Sequence, residues 1–118
     1  MKLKSIDANA LKRRLDEGGA LLVDVREAGE YAQEHIEGAR LVPLSRFDVE
    51  DFGPDRAKVA VFYCRSGART RFNADLLTSK GFREAYELGG GIMGWKAAGL
   101  PTKSDGRGKR RLGWLFYK

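Results

Sequence analysis

The one cysteine of this 118-residue sequence, Cys64, is surrounded by residues that favour nucleophilic chemistry. The segment that it opens contains two arginines and a glycine and reads Cys64-Arg65-Ser66-Gly67-Ala68-Arg69-Thr70. Two permanent positive charges beside a thiol favour the thiolate, which is the nucleophilic form of cysteine. Gly67 lets the loop curl, so that its amides point inward and hold a negatively charged sulfur or a tetrahedral oxyanion. The pattern therefore predicts an anion-binding site with a cysteine nucleophile.

A purely structural interpretation is that Cys64 is a small buried apolar residue at the end of a strand, with the two arginines in water. The coincidence of the thiol with two arginines, a glycine and an expected passage from strand to helix favours the functional interpretation. A thiolate at such a passage faces free backbone N–H groups and the positive end of a helix dipole, and both stabilise negative charge.

The elements that must position this loop follow from the spacing of apolar residues. Four apolar runs predict strands, at Leu21–Val25, Arg40–Leu44, Lys58–Tyr63 and Ala85–Leu88. Helices are predicted between Asp7 and Gly18, over Glu27–Glu34, over Thr70–Lys80 with Phe72 and Leu76 on one face, and near Met93–Ala98, with a brief helical turn at Ser45–Glu50. We therefore predict an α/β fold with a four- or five-stranded, mainly parallel sheet and helices on both faces. In such sheets ligands bind beyond the carboxyl ends of the strands, where the cysteine loop lies.

Composition limits the protein to one soluble domain without a disulfide framework. The chain is 42% hydrophobic and 32% charged, which is typical of a folded soluble protein. One cysteine and one histidine, His35, are too few for a disulfide framework or for a zinc site of cysteines and histidines. The opening residues 1–7 are too polar for a secretory signal, and no apolar run of about 18 residues is present to span a bilayer. A cytoplasmic location is predicted by default.

The net charge of +6 is concentrated at the end of the sequence, where residues 103–118 hold six basic side chains and one acidic side chain. We therefore divide the chain into a domain, residues 1–102, and a basic, aromatic C-terminal tail, residues 103–118. The tail contains Arg110-Arg111 followed by Trp114, Phe116 and Tyr117. It is expected to dock on a protein partner or an acidic or membrane surface, to pack back on the domain, or to remain solvated. The sequence predicts no oligomeric state.

Four segments resemble those of the single-domain rhodanese family of sulfurtransferases, in the order and at the separations of that family. They are Leu22–Glu27, Glu30-Tyr31 with His35–Ala39, Cys64–Thr70, and Leu88–Gly91 with Gly94-Trp95, and together they place the resemblance over residues 5–101. The resemblance implies that Cys64 takes a sulfane sulfur from a small donor such as thiosulfate or a persulfide, becomes a persulfide, and passes the sulfur to a thiol or cyanide acceptor. It implies no cofactor and no metal.

The same mechanism suggests roles for the rest of the loop. Arg69 is expected to bind the oxyanion of the donor and Arg65 to tune the charge at the rim, although the division between them stays open. Ser66 either donates a hydrogen bond to the persulfide or fills a tight turn, and Thr70 is expected to cap the following helix. Outside the loop, Asp24 and Arg26 are expected to form an ion pair that fixes it. For His35 the resemblance implies a structural role and not that of a general base. Met93 and Trp95 are expected in the core or the pocket wall.

Two other functions compete with sulfur transfer. A non-catalytic sulfur carrier or protein-docking module would use the same thiol for a dedicated partner, with the tail as its docking element. The loop also resembles that of a phosphatase or arsenate reductase of the same fold, but this resemblance implies five residues between the cysteine and the arginine. Only four residues separate Cys64 from Arg69, which favours a smaller pocket suited to a single sulfur atom.

Overall fold

The computed structural model describes residues 2–105, in which strands and helices alternate along the chain. The strands are β1 (Lys4–Ile6), β2 (Ala20–Asp24), β3 (Arg40–Leu41), β4 (Val59–Tyr63) and β5 (Glu84–Leu88). The helices are α1 (Ala8–Glu17), α2 (Ala28–Gln33), α3 (Ala68–Phe72), α4 (Ala74–Leu77) and α5 (Gly91–Ala97). Short 3-10 helices lie at Leu44–Val49, Gly53–Ala57 and Thr78–Lys80.

The five strands form one parallel sheet in the order β1-β5-β4-β2-β3. Every residue of β4 is buried, as expected for a strand covered on both faces. Buried side chains of α1 and α5 pack on one face, and those of α4 and the neighbouring 3-10 helix Leu44–Val49 pack on the other. The predicted α/β fold class, with helices on both faces of a parallel sheet, is confirmed.

Helix α1 forms where the sequence places its end signals. The carboxylate of Asp7 accepts a hydrogen bond from the amide of Ala10 at 2.8 Å, and so caps the first turn. Gly18 ends the helix with a φ of 77°, a left-handed conformation that glycine adopts without steric cost. This helix then packs its buried Leu11 against the sheet.

The expected helix over Thr70–Lys80 is interrupted, which corrects the sequence prediction. It is replaced by α3, α4 and a 3-10 turn, with Asn73 at a φ of −113° between the first two. The Asn73 side chain donates to the carbonyl of Arg69 at 2.8 Å, and asparagine disfavours a helix interior because its side chain competes for such backbone groups. As a result Phe72 does not share a buried face with Leu76, and 89% of Phe72 is exposed.

The last described residues lie along the end of α2. His35 and Lys103 form an antiparallel bridge, with N–O distances of 2.8 Å in both directions. The amide of Asp105 donates to the carbonyl of Ala32 at 2.7 Å. The described start of the tail is therefore hydrogen-bonded to the domain through Lys103 and Asp105. The basic and aromatic residues predicted as a docking element, Arg110, Arg111, Trp114, Phe116 and Tyr117, lie outside the described residues. Within residues 2–105, no helix combines the length and the apolarity needed to cross a membrane.

Candidate functional site

Cys64 lies at the carboxyl end of β4, where a backbone amide contacts its sulfur. Cys64 is 1% exposed, and its Sγ accepts a hydrogen bond from the amide of Gly67 at 3.1 Å. The carbonyls of Cys64 and Arg65 accept hydrogen bonds from the amides of Ile92 and Met93 in α5, at 3.0 and 3.1 Å. Because the N–H of a trans peptide points opposite to its carbonyl, the amides of residues 65 and 66 point away from α5. The loop Cys64–Thr70 is thus a backbone cradle for an anion, and α5 holds it through two loop carbonyls.

Gly91 makes this anchoring sterically feasible. A Cβ added at Gly91 would lie 2.4 Å from the carbonyl oxygen of Arg65 and 2.6 Å from that of Cys64. The residue also has a φ of 61°, in the left-handed region that side chains disfavour. Only glycine therefore lets α5 approach the cradle this closely. In the sequence, the run of three glycines after β5 is the one feature that could have indicated a close backbone approach here. Its spacing alone does not show that the cysteine loop is the segment approached.

Arg69 is held by a carboxylate that the sequence analysis did not connect to it. Its Nη1 and Nη2 each donate to one carboxylate oxygen of Glu30 in α2, both at 2.9 Å. This bidentate hydrogen bonding lowers the pKa of Glu30 to about 2, and the same contact raises the pKa of Arg69. Two of the five N–H donors of Arg69 are therefore occupied. The contact spans 39 residues of sequence.

Arg65 and Ser66 have a different environment. Both are exposed, as is Ala68. Neither the guanidinium of Arg65 nor the hydroxyl of Ser66 forms a hydrogen bond or ion pair with any residue from 2 to 105. The hydroxyl of Ser66 therefore donates no hydrogen bond to the sulfur among the described residues. Arg65 is the loop arginine whose N–H donors are all available to a ligand.

Thr70 does not cap the helix after the loop, contrary to the sequence prediction. The helix begins earlier, at Ala68, with Gly67 in the N-cap position at a φ of 101°. Thr70 is buried inside the first turn, and its hydroxyl lies 2.9 Å from the carbonyl oxygen of Gly67 and 3.2 Å from a carboxylate oxygen of Glu87. The hydroxyl therefore holds the cradle glycine through its carbonyl.

The expected ion pair between Asp24 and Arg26 is present and buried. Arg26 Nη2 lies 2.7 Å from Asp24 Oδ2, and the amide of Arg26 donates to Asp24 Oδ1 at 2.9 Å. Nη2 also donates to the carbonyl of Glu34 at 2.6 Å, so the pair joins the end of β2 to the end of α2. The guanidinium also lies 5.6 Å from the ring centroid of Tyr63, the residue that precedes Cys64. Burial among these groups raises the pKa of Tyr63.

Three further residues predicted to be structural have the following positions. His35 stacks on Tyr31, with ring centroids 3.8 Å apart, and its Nδ1 lies 2.8 Å from the Tyr31 carbonyl oxygen. Trp95 is in the core, where its Nε1 donates to the carbonyl of Pro101. Met93 is not in the core: the residue is half exposed, and its backbone amide donates to the carbonyl of Arg65 in the cysteine loop.

Comparisons with known proteins agree with this architecture. The family model described as "Rhodanese-like domain" matches residues 7–98. A Synechocystis protein of uncharacterised function is 37% identical over 98 residues, which cover 83% of this chain and 55% of the relative. A protein of Allochromatium vinosum named sulfurtransferase is 35% identical over 100 residues, which cover 84% of this chain and 94% of the relative. The solution structure of a rhodanese-like domain from Anabaena sp. is 34% identical, with a TM-score of 0.74 over 88% of this chain and 80% of that one. The chain thus spans nearly the whole of one relative and about half of another.

Proposed function

Since this chain belongs to the rhodanese-like domain family, we propose that it is a sulfurtransferase that carries a sulfane sulfur on Cys64. The observation on which the proposal chiefly rests is the hydrogen bond from the Gly67 amide to Cys64 Sγ, at the end of the central strand. An amide in this position stabilises negative charge on the thiolate and, after transfer, on a persulfide. The sulfurtransferase name of the Allochromatium relative, which matches over almost its full length, supports the same activity.

The proposed cycle has two displacement steps. With thiosulfate as the donor, the Cys64 thiolate attacks the outer sulfur, a new S–S bond forms, and sulfite leaves with the electron pair of the old S–S bond. The enzyme is left as an anionic persulfide. Cyanide or a thiolate acceptor then attacks the terminal sulfur, and the electron pair of the broken S–S bond returns to Cys64 as thiolate. Each step conserves charge, and neither requires a cofactor.

The contacts of the arginines suggest how they divide the work that the sequence left open. Arg69 is bound at both nitrogens to Glu30, so we assign it the role of a fixed positive charge beside the cradle. Arg65 is exposed and all of its N–H donors are available, so we assign it the capture of the anionic group of the donor. In this division Arg65 binds the donor, whereas the sequence favoured Arg69 for that role.

Intact-protein mass spectrometry tests the proposal directly. The native chain and Cys64→Ser are incubated with thiosulfate, desalted, and then exposed to cyanide. We expect the native chain to gain the mass of one sulfur and to lose it to cyanide, and the serine variant to do neither. Failure of the native chain to gain sulfur from both thiosulfate and a low-molecular-weight persulfide would reject the proposal.

Sulfur loading, measured together with phosphate release, separates the alternatives. A sulfur carrier or docking module would load one sulfur without rapid release to small acceptors, and a phosphatase would release phosphate from an aryl phosphate without loading sulfur. The tail as a docking element for a protein or membrane surface and the cytoplasmic location remain predictions. The docking role of the tail is tested by comparing residues 1–105 with the full chain for binding to an acceptor protein and to lipid vesicles.

A further inference from the structure

A buried carboxylate lies beside the cradle and has no place in the cycle described above. Glu87 is in β5 and is 6% exposed. A negative charge so close to an anion-binding loop opposes the binding of another anion, so it requires compensation by a nearby cation. Within the described part of the chain, the cation recorded next to Glu87 is Arg71, with Nη1 4.0 Å from Oε1.

Arg71 also contacts the cradle itself. Residues 67 and 71 are one helical turn apart and share a face at the start of α3. A Cβ added at Gly67 would lie 2.7 Å from Arg71 Nη1, so the guanidinium covers Gly67 directly. Gly67 is the residue whose amide donates to Cys64 Sγ at 3.1 Å. Standard bond lengths therefore limit the distance from Arg71 Nη1 to that sulfur to about 9 Å.

The contacts of Arg71 leave it able to bind a ligand. Its side chain is 60% exposed, and 4.0 Å is longer than a hydrogen bond, so Glu87 attracts the guanidinium without occupying its donors at close range. Arg69, by contrast, has two donors bound to Glu30 at 2.9 Å. The cradle is therefore bordered by one arginine that is tightly engaged and by two, Arg65 and Arg71, whose donors are available.

We propose that Arg71 is a second donor-binding residue, which selects anionic sulfur donors, and that Glu87 is the positioning residue that keeps its guanidinium over Gly67. This inference rests on the proposed sulfurtransferase function. It accounts for a buried carboxylate at an anion site, because Glu87 holds a cation at the edge of the cradle. It also narrows the donor to compounds that carry negative charge next to the sulfane sulfur, as thiosulfate does.

The experiment compares reagents that differ in charge. Cys64 is alkylated with neutral iodoacetamide and with anionic iodoacetate, and sulfur loading from thiosulfate is followed by quenched mass spectrometry. For Arg71→Gln we expect the rates with iodoacetate and with subsaturating thiosulfate to fall about tenfold, the size of one charge-assisted contact, while the iodoacetamide rate changes less than about twofold. The loss with thiosulfate should appear in the donor concentration for half-maximal loading rather than in the maximal rate. Arg71→Lys should restore part of the loss.

A matched control and a double-mutant cycle make the test decisive. Arg13→Gln removes an exposed arginine of α1 and should leave all three rates unchanged. The cycle is completed by Arg71→Gln in the Glu87→Gln variant, where Arg71 no longer faces a carboxylate. There, Arg71→Gln should lower the rates with iodoacetate and with subsaturating thiosulfate by less than about threefold. Equal losses with the neutral and the anionic reagent would overturn the donor-binding role of Arg71, and additive effects of the two substitutions would overturn the positioning role of Glu87. The native protein could also fail to load sulfur while Arg71→Gln still lowers the iodoacetate rate relative to native. In that case the proposed function fails, and Arg71 remains a residue that selects anions.

Discussion

Replacing Glu30 by glutamine removes the charge that holds Arg69 beside the cysteine loop. The hydrogen bonds from Arg69, assisted by one from the amide of Glu27, lower the pKa of Glu30 from 4.5 to about 2. At full strength this shift corresponds to about 3 kcal/mol of folding free energy. The two side chains are 35% and 38% exposed, so solvent screening reduces the contribution to about 1 kcal/mol. We therefore expect Glu30→Gln to lower the free energy of unfolding by about 1 kcal/mol at neutral pH.

The dependence on pH has a definite direction. A carboxyl group whose pKa is lower in the folded state stabilises the fold at any pH above its unfolded pKa, and this stabilisation is lost as the pH falls towards the folded pKa. For Glu30 the window runs from 4.5 down to about 2. The difference between native and Glu30→Gln should therefore begin to shrink as the pH falls towards 4.5 and should have lost more than half of its neutral-pH value by pH ~3.

Urea unfolding of both proteins at a series of pH values measures this difference. Asp48→Asn serves as the control, because Asp48 is exposed and its carboxylate forms no ion pair with any residue from 2 to 105. That substitution should change the free energy of unfolding by less than about 0.5 kcal/mol at every pH. A difference for Glu30→Gln that is absent at neutral pH, or that stays constant down to pH ~3, would refute the reasoning about this pair.

Three other substitutions test the parts of the structure that hold the cradle, each by urea unfolding together with sulfur loading. Gly91→Ala should lower the free energy of unfolding by more than about 2 kcal/mol and abolish loading, because the added Cβ would lie 2.4 Å from a loop carbonyl oxygen. Gly81→Ala is its control: Gly81 also has a positive φ, 80°, but open space around it, so the substitution should lower the free energy of unfolding by only about 1 kcal/mol. Asp24→Asn leaves the buried Arg26 charge without its partner and should cost about 3 kcal/mol. Thr70→Val removes the hydroxyl that holds the cradle glycine and should cost about 1–2 kcal/mol and slow loading, while Thr70→Ser should do neither.

The sequence predicts the centre of the fold better than its edge. Apolar runs predict β2, β4 and β5, because a strand covered on both faces must be apolar almost throughout. Strand β1 gives no such signal, since it has three residues, Lys4–Ile6, two of them polar, and pairs only with β5 at the edge of the sheet. The break at Asn73 was also missed, because the apolar spacing around it is compatible with a continuous helix.

Within the site, the sequence predicts the cysteine loop but not the residues that orient it. The loop is visible because its residues are contiguous. Glu30, Glu87 and Gly91 come from three other elements, and each meets the loop only after the chain has folded. Their residue types carry no separate signal, since glutamates and glycines are common throughout the sequence. Contacts of this kind depend on register and distance, which spacing along one chain does not determine.

The break at Asn73 also bears on which groups stabilise an anion at Cys64. A helix of five residues, Ala68–Phe72, contributes less dipole than the longer helix expected from the sequence, so local groups carry more of the charge stabilisation. Of the arginines, Arg69 has two of its N–H donors bound to Glu30 at 2.9 Å, so fewer of them are available to a ligand. Under the proposed mechanism, direct hydrogen bonds to an anionic donor must therefore come mainly from Arg65 and Arg71, whose donors are available. Added salt should accordingly slow loading from thiosulfate, while alkylation by neutral iodoacetamide should respond little.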